Sequence, residues 1–126
     1  MIPKAPSEDL EQKVVVHWLR LHGILHHHGN RKGQRNVQHI MNEERLGSTK
    51  GFPDLLIFDP PPHDREKMFR RVGVAIEMKR IKGGKVSVEQ NEWLVNLMNR
   101  GWAVRVCCGA GDAIAYLESL GFGKRR

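Results

Sequence analysis

Two short apolar runs, each marked by acid, constrain this chain more than any other feature. Gly51-Phe52-Pro53-Asp54 leads into Leu55-Leu56-Ile57-Phe58, and after a polar connection comes Val72-Gly73-Val74-Ala75-Ile76-Glu77-Met78-Lys79. Pro60-Pro61-Pro62 in the connection tolerates neither a helix nor a central strand. The runs therefore read as two separate strands. Side chains alternate along a strand, so Glu77 and Lys79 project from the same face. An acid inside an apolar strand needs a partner. Asp54 and Glu77 on neighbouring strands could share one hard divalent cation, and Mg2+ and Mn2+ suit all-oxygen sites. The backbone carbonyl of Met78 leaves the strand near Glu77 and could add a ligand. Lys79 would orient an attacking water or neutralise charge on a phosphate ester. The plainer alternative makes Asp54 a turn residue and Glu77 a partly exposed strand acid. The metal reading points to a metal-dependent nuclease.

The charge balance agrees with a polyanionic partner. In 126 residues, 21 Lys and Arg stand against 14 Asp and Glu, a formal net charge of +7. A domain this basic favours nucleic acid over a membrane surface. No apolar run approaches the roughly 20 residues that span a bilayer, and the polar start from Met1 to Gln12 lacks a signal-peptide core. The chain is expected to work in the cytoplasm. Cys107 and Cys108 are sequence neighbours, and neighbours on a strand point to opposite faces, which argues against a mutual disulfide. The same alternation sends His27 away from His26 and His28 and defeats a three-histidine metal site.

The length fits a single domain, residues 1–126, with no internal repeat and no linker. Ser7 caps a helix from Glu8 to His22, with Leu10, Val14, Trp18 and Leu21 at helical spacing. A strand follows over Ile24 to His28, then a polar stretch with a short helix near Val37 to Arg45. Strands at Leu55–Phe58 and Val72–Lys79 precede the Gly83-Gly84 break. A helix from Ser87 to Arg100 buries Trp93, Leu94, Leu97 and Met98. A strand over Trp102–Cys108 and a helix over Gly109–Leu120, with Ile114, Leu117 and Leu120 apolar, complete an α/β sheet covered by helices.

Other residues carry two readings each. Ser87 and Gln90 match a capping box, in which Gln90 bonds back to the helix start. The same position lies over the strand end bearing Lys79, where Gln90 could assist catalysis. Glu11 shares a helix face with Val15 and Trp18 and could reach the metal site, or could serve as a surface acid in the first turn. Arg31, Lys32, Arg35, Lys50, Arg80, Lys82 and Lys85 are placed for phosphate-backbone contact, with ordinary solvation as the alternative.

Taken in order, Gly51-Phe52-Pro53-Asp54, Glu77-Met78-Lys79 and Ser87-Val88-Glu89-Gln90-Asn91-Glu92-Trp93 resemble the VRR-NUC branch of the PD-(D/E)xK nucleases. The resemblance extends over most of the chain. It implies a restriction-endonuclease-like core, a central mixed β-sheet flanked by α-helices, and Mg2+- or Mn2+-dependent hydrolysis of phosphodiesters. Position by position, it implies metal binding by Asp54 and Glu77, a catalytic Lys79 and an assisting Gln90. Glu11 matches the acid on the family's first helix, which can complete the metal site. Stand-alone members are similar to phage and viral replication proteins. They resemble Holliday-junction resolvases, which implies a homodimer acting on branched DNA. A basic module of the same fold that binds nucleic acid without cutting it is the rival expectation.

Overall fold

The computed structural model describes residues 7–29 and 50–123. Helix α1 spans Glu8–Leu21 and strand β1 His26–His28. Strand β2 covers Leu55–Ile57 and β3 Gly73–Lys79. Helix α2 covers Val88–Asn99, strand β4 Trp102–Cys108 and helix α3 Ala110–Ser119. Hydrogen-bonded in the order β1-β2-β3-β4, the strands form a mixed sheet, antiparallel except for the parallel β3–β4 pair. Among the described residues, three helices flank it. α1 packs on α3 and β3, while α2 packs on β4 and β3.

The element order agrees with the sequence reading, with ends shifted by one or two residues, as frayed termini usually are. The expected helix near Val37 to Arg45 lies outside the described residues. So do Arg31, Lys32 and Arg35. One difference falls in the Pro-rich connection, where Pro62–Asp64 forms a single 3-10 turn with proline in its first positions. Proline is tolerated there because the opening N–H groups of a helix have no internal partner.

β3 is the centre of the molecule, buried along its whole length. Val74, Ile76 and Met78 join Leu55, Ile57, Val15, Leu19 and Leu117 in one apolar core. Cys107 lies inside this core and Cys108 outside it, both as free thiols. Burial pushes the Cys107 thiol up to about 12, with Asp112 adding to the effect, so it stays protonated at neutral pH.

Two helices bury faces other than those their apolar residues suggested. In α1, Leu10, Val14 and Leu21 are exposed, whereas Glu11, Gln12, Val15 and Leu19 are buried. The polar pair turns inward because each has a partner there. Glu11 Oε2 accepts a hydrogen bond from the Ala110 amide, and Gln12 Oε1 pairs with His28 Nε2. In α2 only Leu94 is buried; Trp93 and Leu97 are half-covered and Met98 is exposed.

Candidate functional site

The site is built where β3 ends and β2 begins. Leu55 pairs with Ile76 in the antiparallel register, so the residue before Leu55 and the residue after Ile76 arrive side by side. These are Asp54 and Glu77, only 4% and 1% exposed. Asp54 Oδ2 accepts the Met78 amide N–H at 2.8 Å, which fixes the carboxylate across the strand gap. The backbone also ties this corner together, because the Gly29 amide donates to the Asp54 carbonyl at 3.1 Å.

Glu77 is held from two sides. Its Oε2 accepts a hydrogen bond from Gln90 Nε2 at 3.0 Å and lies 3.5 Å from Lys79 Nζ. Lys79 is itself buried. The two readings of Gln90 are therefore both occupied by one side chain. Its Oε1 accepts from the Ser87 amide at 2.9 Å, closing the capping box, while its Nε2 reaches Glu77. An amide can do both because it offers an acceptor and two donors on opposite corners.

A third acid comes from α1. Glu8, Asp54 and Glu77 each present a carboxylate oxygen, and the three oxygens lie within 4.8 Å of one another. The helix acid at this cluster is thus Glu8, one turn before Glu11. Glu11 is instead placed at the start of α3, on the Ala110 amide. A helix N-terminus leaves amides without internal partners and carries partial positive charge, which accounts for a buried glutamate there. The sequence held a signal for Glu8: Glu8, Gln12, Val15 and Leu19 follow one helical stripe, and three of the four are buried. His28 was also passed over as a neighbour of this corner. Burial lowers its pKa, and the negative charge of Asp54 opposes that shift.

Three carboxylates gathered this closely repel one another unless a cation stands between them. Oxygen ligands around one Mg2+ lie about 3–4 Å apart, given bonds of about 2.1 Å, so a small side-chain rotation fits these acids to one ion. The donor set is all oxygen, which suits Mg2+ or Mn2+ rather than a soft metal.

The loop carrying Asp54 is pressed onto α2. Gly51 has φ of +84°, and a Cβ there would stand 2.7 Å from the Glu89 carbonyl carbon and 2.8 Å from the Gln90 amide nitrogen. Only glycine allows both that backbone and that approach. The packing sets Asp54 in register with Gln90. Of the expected phosphate contacts, Lys50 sits 3.6 Å from Glu89, and Arg80, Lys82 and Lys85 are exposed on the loop after β3. No helix among the described residues is long and apolar enough to cross a membrane.

Comparison with known proteins adds a family and a fold. A family model described as the VRR-NUC domain matches residues 5–111. A solved structure described as a VRR_NUC domain protein superimposes with a TM-score of 0.67 at 23% identity, covering 94% of this chain and 93% of the other. No curated protein matches.

Proposed function

Because the chain belongs to the VRR-NUC domain family, a family of nuclease type, we propose that it is a divalent-metal-dependent endonuclease acting on DNA. The observation that carries this reading is the convergence of Glu8, Asp54 and Glu77 beside Lys79 at one end of the β2–β3 pair. Branched DNA is the proposed substrate class. A homodimer is the proposed working form, since two symmetric cuts suit a two-fold assembly.

Asp54, Glu77 and Glu8 would hold Mg2+ or Mn2+, with the Met78 carbonyl as a further ligand. An ion held there would supply Lewis acidity and a nucleophilic water near neutral pH. The chain's own groups do the rest. Lys79 places a positive charge 3.5 Å from Glu77 Oε2, where it can orient the attacking water or offset charge gathering on the phosphate. Gln90 holds Glu77 against rotation, and the Met78 amide does the same for Asp54. Arg80, Lys82 and Lys85 would meet backbone phosphates beside the cut. Phosphate contact is likewise proposed for Lys50 and for Arg31, Lys32 and Arg35, the last three outside the described residues.

The test is cleavage of labelled branched and linear DNA with Mg2+, Mn2+ or EDTA. Asp54→Ala and Glu77→Ala are expected to abolish cutting while DNA binding persists. Full activity in either purified variant would refute the assignment. Binding without cleavage by the wild type, in any metal, would leave the non-cutting module standing.

A further inference from the structure

The face of α2 that carries Gln90 continues away from the acids. Gln90, Trp93, Leu97 and Arg100 recur at helical spacing, and Trp93 lies about 4.5 Å along the axis beyond Gln90 at about 1.5 Å per residue. Trp93 is half-buried, and Phe52 meets it edge-on, ring centroids 4.9 Å apart at 77°. Phe52 is itself 40% exposed, two residues before Asp54 on the loop that Gly51 fastens to α2. Past this aromatic pair runs a groove of about 340 Å3, lined among the described residues by Glu92, Trp93, Asn96, Leu97 and Arg100. Arg100 Nη1 donates to the Asn96 carbonyl and to Asn96 Oδ1 at 3.0 and 3.1 Å.

We propose that Phe52, Trp93 and this groove form a stacking subsite for an unpaired nucleobase of the DNA strand held at the acid cluster. The proposal rests on the nuclease reading and deepens it. Aromatic faces hold bases of any sequence once the bases are unstacked from a duplex. A base inside a duplex has both faces covered by its neighbours, so the subsite selects DNA with a single-stranded or frayed segment next to the scissile phosphate. Glu92 on the rim disfavours a phosphate at the near end and leaves room for a base edge. Arg100 closes the far end with guanidinium N–H groups suited to a backbone phosphate.

The experiment uses splayed-arm DNA with 2-aminopurine in the unpaired arm, next to a fully paired duplex of the same length. Binding is read in EDTA, so that cleavage is not needed for the signal. The wild type is expected to quench the 2-aminopurine. Trp93→Leu and Phe52→Leu are expected to weaken splayed-arm binding about tenfold, within the range of base–aromatic stacking, without changing duplex binding, and Trp93→Phe to retain most of the affinity. Should Trp93→Leu fold poorly, the more exposed Phe52→Leu carries the test. Unchanged affinity in the folded variants overturns the subsite. So does a Trp93→Leu protein that changes from dimer to monomer with quenching intact, which would make this face a contact between copies. A wild type that quenches but never cuts with Mg2+ or Mn2+ would instead sink the nuclease reading alone.

Discussion

The two ends of β3 treat buried acid in opposite ways. Before its first residue, at the end of the 3-10 turn, Asp64 is 1% exposed and surrounded by cations. It accepts hydrogen bonds from the Arg71 amide, Nε and Nη2 at 2.8 to 3.0 Å and lies 3.2 Å from Lys67. Arg71, with help from Lys67, holds its carboxyl well below the usual carboxylate range, and Asp64 in turn raises Arg71. At the last residues of β3, among the described residues, three acids share one small volume beside Lys79. An acid enclosed by positive groups fastens a loop. Acids brought together make a place where an added cation can lower the energy of the folded chain. Burial alone does not separate these roles; the sign of the neighbours does.

Asp64→Asn attacks the first end and should give the largest effect on stability. Breaking a buried ion pair from one side costs about 3–5 kcal/mol, and the partly exposed arginine reduces this to about 2–4 kcal/mol. Denaturant unfolding at neutral pH measures it, and Mn2+ affinity is expected to stay the same. A matching loss of Mn2+ affinity would mean that the two ends are not separate. At the other end, Glu8→Gln should weaken Mn2+ binding at least about tenfold, roughly 1.4 kcal/mol. Glu11→Gln should leave Mn2+ binding near the wild-type value and lower the melting temperature. Calorimetric Mn2+ titration of the two variants decides which helix acid belongs to the site, and the reverse result would restore Glu11.

The smallest effect is the pH dependence of Asp64. Its folded pKa is depressed, so its stabilisation is complete above the unfolded value of about 3.9. That contribution fades as pH falls from there toward the folded value. The stability gap between wild type and Asp64→Asn should therefore be constant from neutral pH down to about 5 and narrow below about 4. Urea midpoints of both proteins across that range check it. A constant gap at pH 3 would argue that packing, not charge, accounts for the loss.

The strands were legible because their apolar runs end in punctuation that no helix accepts. The shared face of Glu77 and Lys79 was legible because alternation fixes it once the strand is known, and Asp54 followed as the acid opening the neighbouring run. Gln90 was legible as a cap and, by position, as a neighbour of the strand end. Helix faces were harder to read. Leu10 and Val14 suggested one stripe, but the tertiary partners of Glu11 and Gln12 turned α1 to another. Glu8 was passed over because an acid in a first turn is usual on dipole grounds alone. Asp64 gave no periodic signal at all. Its role depends on Arg71 folding back across a loop, a contact that no spacing rule predicts.

Glu11 joins α1 to the first amide of α3, bridging a separation of 99 residues. The same helix delivers Glu8 to its companions one turn earlier. During synthesis, Asp54 and Glu77 can meet as soon as the two central strands have left the ribosome. The third acid relies on the seating of α1, which the Gln12–His28 pair and packing on β3 begin and the Ala110 amide completes. The geometry of the cluster is thus expected to depend on α3 as well as on the strands, so a substitution that loosens α3 would be felt at Glu8.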